Sequence, residues 1–161
     1  MQALQELAIP EFLENRGWEP SQIRLALTHI ISRAVYPASE LKTTSWIHDN
    51  SAVCELTGLK AGTITKDLLY SISHRLHKEK DAMEQYLSKK TNDLFDLQDR
   101  IILYDLTNTY FEGKKLRSKK AKRGRSKEKR NDAKIVVLAA VVNPEGFLTH
   151  IAAKELPKVK V

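Results

Sequence analysis

Near residue 100 the apolar pattern of the chain changes period. Upstream, apolar residues recur at intervals of three and four. Downstream they crowd into short β-branched runs: IILYDLT (101–107), then KIVVLAAVV (134–142), which is apolar on both of its alternating faces. Runs of that kind suit strands buried in a sheet. Asn143-Pro144-Glu145-Gly146 follows, with Asn at i, Pro at i+1 and Gly at i+3 of a type I turn, and FLTHIAA (147–153) comes next. Residues 134–153 therefore predict a hairpin, with 101–107 as a further strand. The strand pattern continues weakly into KELPKVKV, where Pro157 argues against a central position. Three strands cannot cover their own faces, so helices must shield at least one. The expected class is α+β, with a helical N-terminal region over 1–98 and a sheet region over 99–161.

The helical reading rests on spacing and punctuation. Residues 2–15 predict a helix with Leu4, Leu7, Ala8 and Phe12 on one face, which Pro10 kinks or divides. Pro20 opens a second helix, where Ile23, Leu27, Ile30, Ile31 and Ala34 fall at helical spacing, and Pro37 ends it. Residues 39–49 and 51–57 predict two shorter helices, the second closed by Gly58. Neither Gly nor Pro occurs between Gly62 and Gly113. Ile64, Leu68, Ile72 and Leu76, then Met83, Leu87, Leu94 and Leu97, trace a long apolar stripe with a break expected near Lys80–Asp81. Residues 52–76 admit a helix-turn-helix reading with Gly58 near the turn. The spacing from Leu56 to Ile64 is loose for that motif, and ordinary bundle packing accounts for the same pattern.

Charge is distributed unevenly. Residues 1–112 hold 12 Lys+Arg against 16 Asp+Glu, whereas residues 113–134 (GKKLRSKKAKRGRSKEKRNDAK) hold 12 basic residues against Glu128 and Asp132. The formal net charge of +7 thus originates in one short segment. With Leu116 as its one aliphatic residue larger than alanine, that segment cannot bury itself and predicts a solvated loop between the first two strands. It is either a solubilising loop or a phosphate-binding arm, and the density of cations favours the arm. Lys114, Lys115, Arg117, Lys119, Lys120, Lys122, Arg123, Arg125, Lys127, Lys129 and Arg130 are the candidate DNA-binding residues. An anionic membrane surface would also attract such a run, but no lipid motif or amphipathic apolar face adjoins it.

Asp105 is the one carboxylate embedded in a strand run, on the face shared by Leu103 and Thr107. An acid there must be paired, hydrated or bound to a cation. A structural account has it accept hydrogen bonds from a turn at Thr107-Asn108. His74 and His77, three apart on a helix, lack a third ligand and read as a surface pair. Cys54, the single cysteine, lies among apolar neighbours and reads as a core filler. It can form no internal disulfide, no signal-peptide plan begins the chain, and no apolar run is long enough to span a membrane, so the cytoplasm is the expected compartment.

LFDLQDRIILYDLTNTYFEG (94–113), followed by AKRGRSKEKRNDAKIVVLAAVVNPEGF (121–147), resembles the insertion-sequence transposases of the DDE class, in the IS-four-like group. Residues 23–58 are similar to the helical region before their catalytic domain, so the resemblance covers the chain to about residue 148. It implies an RNase H-like fold, a mixed five-stranded sheet flanked by helices, of which this chain holds the first three strands. It implies that Asp105, in the YDLTNTYFEG context, is the first catalytic and metal-binding acid. The family's second Asp, and its Glu in a Tyr-Arg-Glu-Lys signature, have no counterpart here. The implied chemistry is DNA cleavage and strand transfer with two Mg²⁺ ions roughly 3.5–4 Å apart. The implied partner is DNA, with a second copy or a full-length transposase as a further one, in a prokaryotic cytoplasm beside the nucleoid. The expectation is a truncated, catalytically incomplete copy that retains DNA binding. The alternative is a non-enzymatic, basic nucleic-acid-binding or assembly protein.

Overall fold

The computed structural model describes residues 1–96, 103–111, 122–123 and 134–154. The chain is mixed α+β, with helices preceding an antiparallel sheet, and it divides into two compact units, Met1–Met83 and Glu84–Val161.

In the first unit Pro10 divides the expected N-terminal helix. Helix α1 (Gln2–Glu6) ends before Ala8, which takes a left-handed conformation at φ 52°, and α2 (Ile9–Asn15) starts with Pro10 in its first turn. Proline is tolerated there because the first N–H groups of a helix have no intrahelical acceptor. Ile9, Phe12 and Leu13 are buried in consequence, while Leu4 and Leu7 are half-buried. Helix α3 (Pro20–Val35) begins where the Glu19 N–H donates to the Gln22 side chain at 3.0 Å. It buries Ile23, Ala26, Leu27, Thr28, His29 and Ser32, an arc wider than its apolar stripe, and Ala34 is exposed.

Helix α4 (Glu40–Asn50) is capped by Ser39, and the five-residue α5 (Val53–Thr57) ends at Gly58. Gly58 adopts φ 69°, which lets the Leu59 N–H reach back to the Cys54 carbonyl at 2.9 Å. After a 3₁₀ turn at Ala61–Thr63, α6 (Lys66–Lys78) starts on Thr65, whose hydroxyl accepts from the Leu68 N–H at 3.2 Å. Ile47, Val53, Cys54, Ile64 and Leu69 form one buried cluster. Both α5 and α6 pack on α3, so residues 52–76 belong to a bundle. The guanidinium of Arg75 lies 4.3 Å from the ring centre of Trp18, and Arg16 pairs with Glu79 at 2.7 Å. The long apolar stripe divides at Glu79, which ends α6, and α7 (Lys80–Phe95) follows at once.

In the second unit β3 (Lys134–Val142) pairs antiparallel with β1 (Leu103–Phe111) over its whole length, from Leu103↔Val142 to Phe111↔Lys134. Its other edge takes β4 (Leu148–Lys154) and, at its start, the two-residue strand β2 (Lys122–Arg123). Adjacent residues Val136 and Val137 are both buried, as a run apolar on both faces requires. Asn143 makes the β3–β4 turn: its carbonyl accepts from the Gly146 N–H at 3.0 Å and its side chain from the Phe147 N–H at 2.8 Å.

Two expectations need correction. Thr107-Asn108 is no turn, because β1 continues to Phe111 and Asn108 pairs with Val137 mid-strand. Cross-strand pairing outweighs the low strand preference of a single Asn. The basic segment is not loop throughout, since Lys122 and Arg123 join the sheet. Among the described residues no helix is long and apolar enough to cross a membrane.

Candidate functional site

Asp105 is the third residue of β1 and stands in the row Asp105–Ala140–Ile151 across β1, β3 and β4. The next row on that face is Thr107–Leu138–Ala153. Thr107 is exposed, and Ala140 and Leu138 are half-buried, so this face of the sheet is open to water along part of its length. Strand β1 runs on through Thr107 and Asn108, so Asp105 lies within the strand rather than beside a turn. Among the described residues its row continues into Ala140 and Ile151, neither of them a carboxylate. Among the described residues no three His, Cys, Asp or Glu side chains converge on one point. Mg²⁺ demands several oxygen ligands in octahedral array, and the described residues do not supply that set.

Of the eleven candidate DNA-binding residues, Lys122 and Arg123 lie in β2; Lys114, Lys115, Arg117, Lys119, Lys120, Arg125, Lys127, Lys129 and Arg130 lie outside the described residues. Strand β2 enters at the end of β3 remote from Asp105. Lys122 shares a row with Ile135 and Tyr110, and Arg123 one with Lys134 and Phe111. At 3.4 Å per strand residue, these rows lie about 17–20 Å along the sheet from that of Asp105. The sheet thus carries its one strand-borne candidate acid toward one end and Lys122, Arg123 and Lys134 at the other.

The other singled-out side chains join no group of three potential metal ligands among the described residues. His74 and His77 are exposed on α6. Cys54 is buried in the core cluster, and that burial pushes its thiol pKa up. His29 is buried on α3 with no partner for Nδ1. Burial, aided by the Arg33 charge and opposed by Glu40, holds its pKa below the usual imidazole value.

Two features lie outside the sequence expectations. Glu84 of α7 clasps β4, accepting from the Ile151 N–H at 3.2 Å and pairing with His150 Nδ1 at 2.7 Å. Nothing in the local sequence links residues 66 positions apart. In the first unit Tyr36 and Trp46 stack with ring centres 5.3 Å apart and planes 10° apart, over a groove also lined by Lys42, Ser45, Asp49 and Asn50. The spacing of 42, 45, 46, 49 and 50 along one helical stripe was a signal for that surface.

No protein-family model, curated protein or solved structure matches the chain.

Proposed function

We propose that the chain is a DNA-binding portion of a DDE-class transposase: the helical region and the opening strands of an RNase H-like catalytic domain. The observation that carries this reading is the juxtaposition of twelve Lys and Arg within 113–134 and the strand motif YDLTNTYFEG holding Asp105. The segment reaches the sheet through β2 and continues into β3, the direct neighbour of the Asp105 strand. Strand β1 is paired on one edge only among the described residues. A five-stranded mixed sheet would add further strands, at least one of them in parallel pairing, and an open edge beside Asp105 is compatible with that.

In this reading the basic segment grips phosphates irrespective of base sequence, and Asp105 supplies one corner of a cation site. One carboxylate is too few to fix two Mg²⁺ ions, and the described part of its row adds no second, so the activity expected of this chain is DNA binding. The isolated row Asp105–Ala140–Ile151 keeps a second reading in play, a basic DNA-binding protein with no strand-transfer chemistry at all.

Fluorescence anisotropy with a labelled duplex tests the binding step. If six to ten cations meet phosphates, affinity falls by about 10³–10⁵ between 50 and 200 mM salt, with little dependence on sequence. A flat salt response defeats the proposal. Incubating a labelled oligonucleotide with Mg²⁺ tests the chemistry. Intact DNA is expected, and nicking abolished by D105A would show that the chain holds a complete site.

A further inference from the structure

The groove beside the Tyr36–Trp46 pair joins aromatic, charged and amide side chains on one surface of the helical unit. Tyr36 ends α3, and Trp46 lies on α4 with part of its surface against the buried cluster of Ile47, Val53, Cys54, Ile64 and Leu69. The core thus supports Trp46, and Trp46 supports Tyr36, which remains 37% exposed. The flank of α4 next to Trp46 and Asn50 buries Thr43 and Ile47, and Lys42, Ser45, Asp49 and Asn50 line the groove of about 330 Å³. The result is an aromatic platform held in place by packing, with a cation at one end and a carboxylate beside an amide at the other. Lys42 and Asp49 are seven residues apart, about 10 Å along the helix axis.

The arrangement discriminates among ligands. A quaternary ammonium needs rings set around it as walls; here the planes differ by only 10°, and Lys42 repels a cation. An aliphatic chain would leave Lys42, Asp49 and Asn50 without partners. A flat heteroaromatic ring carrying a negative group on one side satisfies every member. The ring extends the stack, its phosphate lies toward Lys42, and an exocyclic amine on its far edge donates to Asp49 or Asn50. Base faces are inaccessible inside a duplex, so the ligand is unpaired.

We infer that the Tyr36–Trp46 groove binds an unpaired, amine-bearing nucleotide of single-stranded DNA, such as a frayed end or a displaced strand. This inference rests on the DNA-binding reading for its class of ligand but uses a different surface from the basic segment.

The test separates the two surfaces. In the full chain with Lys119, Lys120, Lys122, Arg123 and Arg125 replaced by Ala, anisotropy of a labelled oligocytidylate reports the groove with much of the phosphate grip removed. Tyr36→Ala is expected to weaken binding about 5- to 150-fold, the range for loss of one base–aromatic stack. Tyr36→Phe should retain the affinity, because stacking needs the ring and not the hydroxyl. Lys42→Glu, an exposed change that leaves the aromatic pair in place, should also weaken it. In the chain with its basic segment intact, Tyr36→Ala should leave duplex affinity unchanged. Equal affinities for Tyr36→Ala and its parent, with unchanged circular dichroism, would overturn the groove and leave the basic-segment reading standing. A salt-insensitive duplex complex alongside a Tyr36→Ala effect would do the reverse.

Discussion

His29 and Ala8 each hold a state that an isolated residue would avoid. His29 lies buried on α3 with Nδ1 unpartnered, and burial is the main reason its pKa is held below 6.5. Well above pH 6.5 the imidazole is neutral in folded and unfolded chains alike and adds no pH dependence. As pH falls below 6.5 the unfolded chain takes up the proton first, so stability drops until the folded pKa is reached and then levels off. Urea unfolding between pH 7 and pH 5 should show this decline in the wild type and a shallower one in His29→Gln; parallel curves would sink the assignment. Ala8 sits between α1 and α2 at φ 52°, where its Cβ crowds the following carbonyl. Ala8→Gly should stabilise the chain by about 1 kcal/mol, read as a raised thermal midpoint. Neither state was legible in the sequence. Pro10 announced a break, but only the packing of Ile9, Phe12 and Leu13 decides which residue must turn left-handed.

Elements were more legible than the contacts that hold them. The run 134–142 and its Asn-Pro-Glu-Gly turn predicted β3 and the hairpin, because a strand apolar on both faces and a type I turn are local patterns. The far end of β1 was not legible: Asn108 argues locally for a stop, and only pairing with Val137 carries the strand to Phe111. The clasp of α7 on β4 is non-local too. Glu84 takes the Ile151 N–H and the His150 ring nitrogen, giving the edge strand two charge-assisted bonds. Glu84→Ala should therefore cost about 2 kcal/mol, discounted for the half-exposed His150 side chain. Amide exchange at Ile151 should accelerate before exchange in β3, the central strand. Glu84→Gln, which keeps an acceptor for Ile151, should lose less; equal losses would mean that the clasp depends wholly on the carboxylate charge.

At the scale of the whole molecule, the separation of charge is the property on which the proposed DNA binding rests, and it was fully legible because it depends on no folding. What the sequence could not tell is where the cations attach to the fold. Strand β2 joins the sheet at the end remote from Asp105, so a strand of DNA following the cations would have to cross about 17–20 Å of sheet to reach the acid. Residues 1–112 are net acidic, so the proposed grip on duplex phosphates should depend on the 113–134 segment almost alone. Each phosphate neutralised contributes about 0.9 to the slope of log affinity against log salt. Replacing Lys119, Lys120, Lys122, Arg123 and Arg125 by Ala should reduce that slope by up to about 4.5, and by the same amount on every duplex sequence. Titrations at several salt concentrations with two unrelated duplexes measure both. An unchanged slope would place the phosphate contacts elsewhere on the chain. A loss confined to one sequence would mean that the segment reads bases, which is incompatible with a purely electrostatic grip.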